Sequence, residues 1–183
     1  MTLDPALALT VSLVLAAIFG AAAVTKLRAL DAFGGVVENY RLLPRGLVRP
    51  VALALPPVEL AAALGLLVPA TRPLAAAAAV LLLLVFAAAM AINLARGRRD
   101  IDCGCFVGLL RQRISWALVA RNLLVAAACG LPLVVADGST AGRALTGLDG
   151  FTVVGATASL LLLYAAVGRL FGLAPATTLK GAS

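Results

Sequence analysis

The sequence predicts an all-α protein, a single polytopic bundle of five transmembrane helices occupying residues 1–183. Three observations predict it. The chain is 63% apolar with a mean hydropathy of +1.08, more apolar surface than a soluble domain of this length needs or can hide. Five windows, near residues 5–24, 47–68, 73–94, 114–136 and 151–171, each hold the roughly 20 mainly apolar residues that cross hydrocarbon. The cations also alternate. Lys26, Arg28, Arg41, Arg45 and Arg49 fall between the first two windows, and Arg96, Arg98, Arg99, Arg111 and Arg113 between the third and fourth. Arg169 and Lys180 follow the fifth, while only Arg72 and Arg143 occupy the opposite connections. This positive-inside pattern predicts an external N-terminus and a cytoplasmic C-terminus in a bacterial inner membrane. It accounts for the net charge of +7 without a nucleic-acid partner; the bilayer is the partner it requires.

The first window is read as a retained span. No Lys or Arg precedes it, and its apolar run exceeds a signal h-region. Lys26 then lies where a cation snorkels to the interface. The segment near 31–43 is too polar to span and amphipathic enough to lie on the surface, stopped by Pro44. In the second window Pro56 and Pro57 remove two backbone donors and predict a kink, one turn before Glu59. The third window closes on "AINLARGRR", with Asn93 near its end. A loop at 96–113 follows, and Ser115 is a candidate cap for the fourth helix, which carries Arg121, Asn122 and Cys129. The fifth window has no ionisable residue before Arg169 and is the least informative.

The chain has no histidine. Imidazole-ligated haem or zinc and histidine bases are therefore excluded. Chemistry must use thiols, carboxylates or a group from elsewhere. The loop supplies Cys103-Gly104-Cys105. A dithiol at i and i+2 closes a small, strained disulfide of the exchange-active kind, and Gly104 eases the turn. Nearby Arg98, Arg99, Arg111 and Arg113 favour thiolate, while Asp100 and Asp102 oppose it. The competing readings are soft-metal capture by two thiolates, lipidation, and two inert residues. Cys129 sits about 15 residues into its helix, roughly 22 Å along the axis, and reads as packing or as a relay thiol. Glu59 and Arg121 are charges at membrane depth and must be paired inside the bundle. Their axial offset of about 7–8 Å makes each other the simplest partner, with Asn93 and Asn122 extending the network.

These residues resemble a known family. "DCGCF", the Lys26-Leu27 end of the first helix, "YRLLP", "LPPVEL", "NLARGR" and Arg121-Asn122 are similar in order and spacing to the MauE/DoxX-like membrane proteins, from Phe19 to Asn122. The usual DCGCFG is interrupted here by Val107 before Gly108. The resemblance implies a four-helix core plus a C-terminal helix. It also implies thiol–disulfide exchange, with thioredoxin-like partners, in the maturation of disulfide-bearing proteins. It carries over Cys103 and Cys105 as the redox pair, with Glu59, Lys26, Asn93, Arg121 and Asn122 in support; no resident metal is expected. The expected activity is a membrane thiol–disulfide oxidoreductase exchanging electrons with a thioredoxin-fold protein, a small thiol or a quinone. The rival is a non-enzymatic soft-metal carrier or a scaffold for a partner protein. Charge puts the loop on the cytoplasmic side, whereas disulfide formation belongs outside. A loop tucked into the cytoplasmic half of the bundle is the expected compromise.

Overall fold

The computed structural model of the protein describes residues 4–106, 112–130, 133 and 144–172, without the side chains of residues 129 and 170–172. The described residues form helices and no strand. Four helices are long and apolar enough to span a membrane, and a fifth apolar helix is shorter.

Helix α1 runs Pro5–Arg28. The Asp4 side chain caps it, accepting from Ala6 N at 2.9 Å, and Pro5 sits where a missing donor is harmless. It extends one turn past the predicted end, because the polar turn carrying Lys26 points into the bundle rather than snorkelling outward. Lys26 is 2% exposed. Helix α2, Leu30–Tyr40, falls within the amphipathic segment expected near 31–43, beginning one residue earlier. It stops before Pro44, at Arg41 in a left-handed conformation (φ 49°). Pro44 instead occupies the cap of α3, Arg45–Leu67. That helix continues through Pro50, Pro56 and Pro57. The prolines offer no N–H to the carbonyls four residues back, yet tertiary packing retains one helix.

Helix α4, Arg72–Ala95, ends in a Schellman turn. Gly97 adopts φ +75°, its N–H donates to Leu94 O, and Arg98 N donates to Asn93 O, both at 3.0 Å. Ser115 caps α5 as expected, accepting from Leu118 N at 3.4 Å. However, α5 is regular only over Trp116–Val125 and widens into a π turn at Ala126–Gly130. Most of the predicted window beyond 130 lies outside the described residues. Helix α6, Gly147–Gly172, begins four residues before the predicted span. Thr146 and Asp149 form a reciprocal capping box: Thr146 N donates to Asp149 Oδ2 at 2.7 Å, and Asp149 N donates to Thr146 Oγ1 at 3.3 Å.

α1 is the centre of the bundle, packing on α3 and α6, while α4 bridges α3 and α5. One core joins Leu15 and Phe19 of α1, Leu66 of α3 and Leu83 of α4. A second closes the end nearest the loop, where Met90 and Leu94 of α4 meet Ile101, Ile114 and Leu118, with Cys103 packed against it. The two strongly basic connections meet at this end. Arg98 Nη2 donates to Asn39 O at 2.7 Å, and the Tyr40 hydroxyl donates to Cys103 O at 3.2 Å. Two connections whose charge predicts a shared membrane face therefore meet in space.

Candidate functional site

The cysteine loop is closed at its neck by backbone pairing. Cys103 N donates to Gln112 O at 2.7 Å, and Ile114 N donates to Ile101 O at 2.9 Å, with Asp102 opposite Arg113. This short ladder drives the tip between the helices. Gly104 turns the chain at φ +73°, and a Cβ there would lie 2.7 Å from Val36 Cγ1 of α2. Only glycine permits both the turn and the approach. Asp102 Oδ1 accepts from Gly104 N at 3.1 Å and fixes the turn as an Asx motif. Val107, Gly108 and Arg111 lie outside the described residues.

Cys103 and Cys105 are half-buried and are not bridged to each other. A Cys103–Cys105 hydrogen bond is the main cause that lowers the Cys105 thiol to about 7. Burial opposes the shift, and the charges of Arg121 and Lys26 assist it. The same bond, followed by burial, raises Cys103 well above its ordinary value. The pair is thus polarised, with Cys105 the more acidic thiol and Cys103 the less acidic. The Tyr40 phenol is also raised, chiefly by burial, so it remains a donor to the Cys103 carbonyl.

Arg121 of α5 lies 3.9 Å from Cys105 Sγ through Nη2. Its guanidinium also rests over the Tyr164 ring of α6, 4.8 Å from the centroid, and Tyr164 meets Phe106 edge-on at 6.3 Å. The expected Glu59–Arg121 pair does not form. Glu59, 1% exposed, pairs instead with Lys26, whose ammonium lies between the faces of Phe33 and Phe86 at 5.1 and 5.0 Å. The axial estimate failed because α1, not α5, packs against the Glu59 face of α3. Asn93 also departs from expectation. It accepts Arg98 Nη1 at 2.7 Å and donates to Ala89 O at 3.1 Å, so it anchors the loop base rather than extending a Glu59 network. Nor do Arg98 and Arg113 bind the sulfurs. Arg98 binds carbonyls of α2, and Arg113 pairs with Asp100 at the surface at 2.6 Å.

A cavity of about 30 Å³ joins Cys105, Glu59, Lys26, Asn122 and Tyr164. Glu59 Oε2, Asn122 Nδ2 and Arg121 Nε are buried without hydrogen-bond partners among the described residues. The side chain of Cys129 lies outside them. No group of three His, Cys, Asp or Glu side chains converges among the described residues. Sequence reasoning missed Tyr164 and the Phe33/Phe86 cradle. Tyr164 had one signal, the one hydroxyl in the apolar run "LLLLYAAV" between Asp149 and Arg169.

With this geometry in place, comparison with known proteins gives one consistent answer. The family model for methylamine utilisation protein MauE matches residues 4–135. The chain belongs to the MauE family. Its relatives include a protein from Paracoccus denitrificans named methylamine utilization protein MauE. It is 46% identical over 90% of this chain and 87% of its own length. Proteins with the same name from Methylorubrum extorquens and Methylophilus methylotrophus are 44% and 41% identical. Those alignments cover 89% and 98% of this chain, and 87% and 93% of theirs. No solved structure matches. This MauE-family protein is a multi-pass membrane protein by its four long apolar helices.

Proposed function

We propose that this MauE-family protein is a thiol–disulfide oxidoreductase of the bacterial inner membrane. It serves methylamine utilisation by maintaining disulfides in a partner protein, through a thioredoxin-like carrier or directly. The observation that carries this reading is the polarised pair: two unbridged cysteines two residues apart, with the Cys105 thiol lowered and a buried arginine beside it.

Cys105 is the nucleophile in the reducing direction. Its thiolate attacks one sulfur of a partner disulfide, forming a mixed disulfide and releasing a partner thiolate. Cys103 then loses its proton and attacks Cys105 Sγ, forming the Cys103–Cys105 disulfide and releasing the second partner thiolate. Run backward, the same steps oxidise a partner dithiol. Protons leave through the small cavity, whose about 30 Å³ accommodates a water between Cys105 and the unpartnered Glu59 Oε2. Lys26 holds that carboxylate in place, and Asn122 supplies a free amide donor. The loop serves the cytoplasmic half of the bundle by the charge rule.

The test is a thiol-trapping assay in membranes. In the wild type, an alkylating probe that adds mass resolves oxidised and reduced forms with a measurable potential. The Cys103→Ser, Cys105→Ser double variant loses both forms and the partner's disulfides with them. Full disulfide formation in the double variant sinks the proposal. Stoichiometric soft metal held by both sulfurs in the purified protein would favour a carrier instead. Ready labelling of Cys103 by an impermeant maleimide in intact cells would overturn the cytoplasmic placement.

A further inference from the structure

A second cavity, of about 240 Å³, lies against the cysteine pair, and Glu59 is not among the residues that line it. The exchange steps above make no use of it. Phe33 and Val36 of α2 and Phe86 and Ala89 of α4 contribute to its wall, with Cys103 and Cys105 closing one side. Lys26 is the charged residue among those lining it. A cavity of about 150 Å³ lined by apolar side chains accepts a benzene ring. This one has room for a six-membered ring with small substituents. Such a lining excludes a charged soluble thiol or a peptide, whose polar groups would be stranded there. Val85, which also lines it, is half exposed on the outer face of α4, so a ligand enters sideways from hydrocarbon. Lys26 donates one hydrogen bond, to Glu59. Its ammonium otherwise faces the Phe33 and Phe86 rings, both of which line the cavity, so it puts positive charge at the wall where an oxygen on a ring edge would sit.

We infer that this cavity binds the ring of a lipid-phase quinone, which oxidises the Cys103–Cys105 dithiol. The inference rests on the thiol–disulfide reading and names its oxidant. A lipid acyl chain would fill the same space, but it offers nothing to a thiolate or an ammonium, and both line this wall. The chemistry balances. The Cys105 thiolate adds to a ring carbon of the quinone. Cys103 then attacks Cys105 Sγ, the S–S bond forms, the C–S bond breaks, and its electron pair stays with the ring. The two thiol protons end on the two ring oxygens. One dithiol and one quinone become one disulfide and one quinol, a transfer of two electrons and two protons.

The experiment uses the full-length protein in detergent, reduced and freed of reductant, with two oxidants offered separately: the short-chain ubiquinone-1 and oxidised glutathione. The expected result is one quinol formed, and two thiols lost, per protein with ubiquinone-1. Ala89→Trp, which fills the cavity, lowers the ratio of the quinone rate to the disulfide rate at least tenfold. Leu162→Trp, on the exposed face of α6, leaves that ratio within twofold. As a measurement independent of any variant, an azido-quinone photolabel marks α2 or α4 and is displaced by ubiquinone-1. Exchange with glutathione but no reaction with ubiquinone-1 overturns the quinone inference and leaves the proposed function standing. Failure with both oxidants overturns the proposed function. Photolabelling displaced by phospholipid but not by ubiquinone-1 assigns the cavity to an acyl chain and likewise ends the inference.

Discussion

The cysteine loop has an outer neck and an inner tip, and each has an ion pair beside it. At the neck, Arg113 and Asp100 pair at 2.6 Å with side chains 70% and 84% exposed. Behind the tip, Lys26 and Glu59 pair at 2% and 1% exposed. The residue types are nearly interchangeable, but the surroundings are not. Water already solvates the outer charges, so their attraction is weak and screened. The inner charges have lost that solvent, so each depends on the other. The difference teaches that Arg98 and Arg113 act at the base of the loop, while the cations that assist the Cys105 thiolate are Arg121 and Lys26, outside the loop.

The largest expected effect breaks the inner pair. Glu59→Ala strands a buried ammonium and costs about 3–5 kcal/mol of stability, read as a lower thermal midpoint in detergent. The double variant Lys26→Met, Glu59→Leu recovers most of that loss. A double variant as unstable as Glu59→Ala would show that the pair's charges are not the cause. Next is the tip itself. Gly104→Ala forces a Cβ into Val36 at a left-handed φ and costs about 1–3 kcal/mol. It also slackens the contact between the pair and α2.

The third effect falls on reactivity. Cys105 is lowered to about 7, so its thiolate is fully present above that pH and is lost as pH falls through it. Its alkylation rate should therefore plateau above the midpoint and drop about tenfold for each pH unit below, since the thiolate is the reacting form. Arg121→Gln moves the midpoint up toward the ordinary 9.0 and slows labelling at neutral pH severalfold. An unmoved midpoint would remove Arg121 from the site. The smallest effect is at the neck. Arg113→Ala costs under about 1 kcal/mol and leaves the Cys105 profile where it was. A shifted profile would mean that the surface charges reach the sulfurs after all.

The helical segments were legible because they depend on local quantities, apolar run length and a serine cap, and the tucked loop was expected only as a compromise between the charge rule and the place of disulfide chemistry. Where a boundary moved, a local contact moved it. The Thr146–Asp149 box started α6 early, and the inward turn of Lys26 lengthened α1. The partners of Glu59 and Arg121 were not legible. Axial depth can be counted from a sequence, but the azimuth at which helices face one another cannot. For the same reason α6, which looked empty, supplied Tyr164 to Arg121.

By itself, then, the sequence determined the solvent, the all-helical membrane fold and the CxC pair as the candidate for chemistry. Each of these follows from transfer free energies and covalent spacing, which add along the chain. Only the tertiary structure decided which cation meets which anion, which arginine polarises Cys105, and that an apolar cavity backs the sulfurs. Those depend on helix rotation and packing, and in a low-dielectric interior a displacement of a few ångströms changes which charges are bound together.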